Sequence, residues 1–173
     1  RSNRVALGRD YLAIGDVAAN DFAGAVHIYN EAGPGNYVFE TDLIVAGTEQ
    51  GFLLGEHVIV DGDTVLAVAA GGLSVNAFER AADTWSAQGQ LIPDTQLSGW
   101  FFGFSGNRAF LVNSANPQEF VRRDGMWLKR GTLNHPSDPQ RRIMMPIAMD
   151  GRRLIVGEEG SENALLYELH GGT

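Results

Sequence analysis

GEHVIVDGDTVLAVAA, from Gly55 to Ala70, is the stretch on which the fold turns. Two apolar runs rich in Val and Ile flank Asp61-Gly62-Asp63. Each run is too short for a stable helix, and β-branched residues favour a strand. Gly at the centre suits the positive φ angles of a two-residue hairpin turn. A third run follows and ends near Phe78, and Trp85 opens a fourth that closes on Leu91. Four consecutive short strands result, with no helix among them.

The same plan recurs outward in both directions. A tight polar pair precedes an apolar run at Arg9-Asp10 (YLAIG), Gly62-Asp63 (TVLAVA), Gly106-Asn107 (RAFLVN) and Asp150-Gly151 (RRLIVG). Counting from these turns aligns Ile14, Val68, Val112 and Val156, at spacings of 54, 44 and 44. Third runs end near Tyr29, Phe78, Val121 and Tyr167. An aromatic residue opens the fourth run at Tyr37, Trp85 and Trp127, and a Leu follows six residues later at Leu43, Leu91 and Leu133. Four antiparallel strands every ~40-50 residues are the mark of a propeller blade, whose two apolar faces must both be covered by neighbours.

The reading is therefore all-β: one segment, 1-173, of β-propeller-type four-stranded antiparallel blades. Its units run approximately 1-55, 56-103, 104-146 and 147-173, about three and a half repeats and fifteen strands, a partial or half propeller. The alternative is a β-trefoil, which also repeats four strands about every 40 residues but needs three units.

Composition narrows the function. Of 173 residues, 44% are hydrophobic and 20% charged, as in an ordinary folded domain. The net charge of -8 argues against nucleic acid, which wants a basic face. No apolar run reaches the ~20 residues of a membrane helix, so no membrane insertion is expected. Cysteine is absent, which excludes disulfides, thiolate metal sites and a cysteine nucleophile. Charge is lopsided: residues 1-103 carry four cationic and thirteen anionic side chains, and residues 104-173 carry nine and eight.

Gly51 to Gly55 (GFLLG), the Gly55 to Ala70 stretch and GAVHIYN at Gly24 to Asn30 resemble FG-GAP repeats, the blades of the integrin α-chain propeller and of many bacterial surface proteins. That resemblance implies a non-catalytic module that recognises a protein or glycan through loops on one face. It also implies a secreted, periplasmic or cell-surface location. The family's calcium-binding blades carry an aspartate-rich loop between their first two strands, where this chain has only tight turns. No Ca²⁺ or other cofactor is expected.

Asp16, Asn20 and Asp21 share the loop GDVAANDFAG and are the metal candidates, three oxygen side chains against the six to eight that Ca²⁺ takes. Asp and Asn bonding their own backbone in a turn account for them equally well. Glu158, Glu159 and Glu162, with Asp16, are the carboxylates that a propeller hydrolase or lyase would use, and this enzyme or enzyme-accessory reading is the alternative function. Acidic loops are expected to be solvated surface, and His27, His57, His135 and His170 form no ligand motif. Arg122-Arg123 and Lys129-Arg130 lie on consecutive strands joined by Asp124-Gly125. With Arg141-Arg142 and Arg152-Arg153 they offer a basic patch for an anionic glycan or an acidic partner. Charge that protects an exposed sheet edge explains them too. Trp100 falls between blades and is the one aromatic left over for binding.

The chain starts at Arg1 rather than Met and stops one strand short of four blades. The expectation is a piece of a longer propeller or a half-ring completed by a second copy.

Overall fold

The computed structural model describes residues 4-70, 73-92, 102-112, 116-138, 143-158 and 160-169. Fifteen strands and one short helix are found among them. The first sheet is β1 (Val5–Leu7), β2 (Tyr11–Asp16), β3 (Ala25–Gly33) and β4 (Asn36–Leu43), with α1 (Ala19–Phe22) between β2 and β3. The second is β5 (His57–Asp61), β6 (Thr64–Ala69), β7 (Ser74–Ala81) and β8 (Thr84–Leu91). The third is β9 (Phe102–Ser105), β10 (Arg108–Leu111), β11 (Gln118–Arg123) and β12 (Met126–Thr132). The fourth has three strands: β13 (Ile143–Asp150), β14 (Arg153–Glu158) and β15 (Ala164–Glu168).

Every sheet is an antiparallel meander in chain order, and none closes on itself as a trefoil's barrel would. The fold is all-β with propeller-type blades. Two compact units divide the chain, Arg1–Gln96 and Leu97–Thr173, each holding two sheets. Turn chemistry behaves as the residues dictate. Gly62, Gly106, Gly125 and Gly151 all take positive φ, and Asp124 joins Gly125 in the left-handed region. Ala82 and Asp83 do the same in the β7–β8 turn, without a glycine.

In the Arg1–Gln96 unit, Tyr11, Ala13 and Ile28 of the first sheet bury against Val65, Ala67 and Phe78 of the second. Tyr11 is fully buried, sets its ring edge-on to Trp85 at 5.1 Å and donates to the Gly62 carbonyl at 3.0 Å. Where the chain crosses from one sheet to the next, Gly15 lies against the backbone of Gly55, and Gly24 bridges Leu54. These contacts leave no room for a Cβ, which accounts for the glycine that ends GFLLG. In the Leu97–Thr173 unit, Phe110 packs with Ile143, Leu154 and Val156, flanked by Met149, Leu165 and Tyr167. Trp127 is buried, with its ring centroid 5.9 Å from that of Phe104 in the same sheet.

One alignment expected from sequence is corrected. Asp61 pairs with Thr64, Ser105 with Arg108 and Asp150 with Arg153, while Gly8 donates to the Tyr11 carbonyl. Three residues on from Tyr11, Thr64, Arg108 and Arg153 stand Ile14, Ala67, Leu111 and Val156. Val68 and Val112 are each one residue further, on the opposite face. The fourth turn is likewise Gly151-Arg152 rather than Asp150-Gly151. The slip arose because β6 is buried along its whole length, so no alternation marks its faces. What does recur at one position is an aromatic ring: Tyr29, Phe78, Phe120 and Tyr167.

Candidate functional site

Strand pairing brings the basic residues together only in part. Arg122 pairs with Trp127, Arg123 with Met126, and Phe120 with Lys129. Alternation along a strand puts Arg122 and Arg123 on opposite faces of the third sheet. The expected single patch is therefore split. Arg123, Lys129 and Arg130 line a recess of ≈ 320 Å³ with Val121 and Leu128, and Arg122 is not among its liners. A second recess, of ≈ 220 Å³, is lined by Arg108, Arg123, Arg152, Ser105, Asn107 and Val121. Arg123 and Val121 belong to both, so the recesses adjoin.

Three hairpin turns build this place. Gly151 in the β13–β14 turn donates its N–H to Ser105 Oγ at 3.1 Å, which pins that turn beside the β9–β10 turn. The pin carries Arg152 to the rim. Arg108 Nε lies 3.2 Å from Glu119 Oε1, which fixes one guanidinium in place. Among the described lining residues, five are cationic and none is acidic. Guanidinium groups match carboxylate, sulfate or phosphate with two parallel hydrogen bonds. Arg108 escapes a reading of the sequence because it stands alone in its run, and only the fold sets it beside Arg123.

A larger cleft, of ≈ 440 Å³, lies in the Arg1–Gln96 unit, lined by residues of β4 and β8. Glu40, Asp42, Asp83 and Trp85 line it. Trp85 Nε1 donates to Glu40 Oε2 at 3.4 Å, and Arg80 lies 3.3 Å from Asp83 and 3.9 Å from Glu40. None of these carboxylates was singled out from the sequence, because Glu40 and Asp42 share an ordinary strand and Asp83 stands in an ordinary turn.

Asp16 is engaged locally. Its Oδ1 accepts from the Ala18 N–H at 2.9 Å, which holds its carboxyl below the usual range, and its Oδ2 lies 3.5 Å from His27 Nε2. Asn20 and Asp21 sit in left-handed backbone within α1. His27 Nδ1 contacts Asp42 Oδ1 at 2.6 Å, so one imidazole spans two carboxylates, and the Asp42 bond raises its pKa above the usual value. No group of three or more metal-ligating side chains forms among the described residues.

No protein-family model matches this chain, and no curated protein matches it.

Glu158 corrects the expectation of a solvated acidic loop. It is buried, accepts from Ser161 Oγ at 2.8 Å and Asn163 Nδ2 at 3.2 Å, and lies 3.2 Å from His135 Nε2. His135 Nδ1 in turn accepts from the Asp138 N–H at 3.0 Å. Glu158 thus organises the β14–β15 loop. Glu162 is exposed. Trp100, Arg141, Arg142, Glu159 and His170 lie outside the described residues.

Proposed function

We propose that this chain is a non-catalytic binding module of an FG-GAP-like β-propeller, taking an anionic glycan or an acidic stretch of protein at the hairpin end of its Leu97–Thr173 unit. The observation that supports this reading is the pair of adjoining recesses with five cationic liners and no acidic one among the described residues. The turns that shape them are loops at one end of the blades, where a propeller presents its variable surface. A secreted, periplasmic or cell-surface location goes with such a partner.

An array of sulfated, uronate-bearing and neutral glycans, printed beside acidic and neutral peptides, tests it. Anionic probes should bind, and Arg123→Ser should weaken them about tenfold or more, since Arg123 belongs to both recesses. Equal retention of neutral and anionic probes would sink the idea. The enzyme reading draws on the cleft with Glu40, Asp42, Asp83 and Trp85. Turnover of chromogenic glycosides that is lost in Glu40→Gln would favour it.

A further inference from the structure

The first sheet keeps an apolar face open. Leu7 pairs with Leu12, Leu12 with Tyr29 and Tyr29 with Phe39, so these four side chains form one row across all four strands. Leu7 is 64% exposed, Phe39 53% and neighbouring Val5 56%. The equivalent row of the second sheet is Val60, Val65, Phe78 and Ala87, by the same pairings. There Val65 and Phe78 are buried, and the cover is the other face of the first sheet, through Tyr11, Ala13 and Ile28. In the fourth sheet the same row, Met149, Leu154 and Tyr167, is covered by Phe110 of the third. Both packed pairs follow one rule: this row takes the opposite kind of face from the sheet before it.

A face of that covering kind is also open in this chain. On the fourth sheet Ala148 pairs with Ile155 and Ile155 with Leu166, on the side that corresponds to Ala13 and Ile28. Leu166 is 70% exposed and Ile155 45%. One chain thus shows the receiving face at its first sheet and the covering face at its last. Arg153 beside Ile155 on the covering face is flanked in its own row by Asp150 and Glu168, and Asp16 and Asp42 on the receiving face by His27, so any charge match is one of whole units rather than of these side chains. The Arg1–Gln96 unit carries four cations against thirteen anions, and the Leu97–Thr173 unit nine against eight.

We propose that the open row Leu7–Leu12–Tyr29–Phe39 is a docking surface for a second copy of this chain, which seats its own Ile155–Leu166 face there. The contact is head-to-tail, between unlike faces. It stands apart from the ligand reading, because it uses none of the recess residues.

Light scattering on the 173-residue chain across a concentration series, with two variants, tests it. The parent should assemble as two or more copies. Phe39→Arg, which spoils the receiving face, and Leu166→Arg, which spoils the covering face, should each raise the concentration needed at least about tenfold. Both positions are exposed, so both variants should keep the parent's circular dichroism. Mixing the two variants leaves one sound pair of faces and should restore a dimer at the parent's concentration. Three results would overturn the proposal: a parent that stays monomeric at every concentration, a mixture no better than either variant alone, or a monomer whose melting temperature falls in both variants. The last would place closure within one chain.

Discussion

His27 and His57 stand on neighbouring sheets of the same unit and respond to pH with opposite signs. The Asp42 bond raises the His27 pKa, so the folded state holds that proton more tightly than the unfolded chain does. The stabilisation is fully present below the ordinary value of 6.5 and is lost as pH rises through the folded pKa. Burial lowers the His57 pKa, so its contribution is present above 6.5 and is lost as pH falls through the folded value. Melting curves of His27→Gln and His57→Gln at pH 5.5 and pH 8 separate them. His27→Gln should lose more stability at pH 5.5 than at pH 8, and His57→Gln should gain relative to the parent at pH 5.5. Parallel curves for all three proteins would refute the assignment.

At the scale of the element, the crossing from the first sheet to the second depends on backbone meeting backbone. A Cβ on Gly15 would collide with the carbonyl of Gly55, and one on Gly55 with the carbonyl of Ala25. Neither neighbour is a side chain that can swing away. Gly15→Ala should therefore cost about 3 kcal/mol, the upper range for overpacking, read as a lower urea midpoint at unchanged slope. Gly131 has open space around its Cβ position and serves as the control: Gly131→Ala should leave the midpoint nearly where it was. A Gly15→Ala protein as stable as that control would mean the two sheets are not joined at this point.

For the whole molecule, the net charge of -8 opposes association of copies at neutral pH. The isoelectric point of ≈ 4.9 means that most of this repulsion is gone near pH 5. Sedimentation velocity should accordingly show a larger assembled fraction at pH 5 than at pH 7.5, and the increase should be much smaller in Leu166→Arg. An increase of the same size in that variant would identify it as unspecific clumping near the isoelectric point.

Strand count and meander order were legible in the residues alone, and three of the four turns that follow a blade's first strand stand on the polar pairs that marked them, while the fourth is shifted by one residue. Tyr37, Trp85 and Trp127 share one register position, as their spacing implied. Depth within the blade was not legible, since a strand apolar on both sides, such as β6, carries no alternation to read. Local sequence also placed Arg123 beside Lys129 and Arg130, one hairpin turn away. It could not place Arg108 or Glu40, which owe their neighbours to contacts between separate hairpins. Glu158 is the sharpest case: by composition it belongs to an acidic loop, and the fold buries it on Ser161 and Asn163. Local chemistry determines turns and strands one at a time. Which faces meet, and which are left open, is decided only when the sheets stack, because that choice depends on residues far apart in the chain.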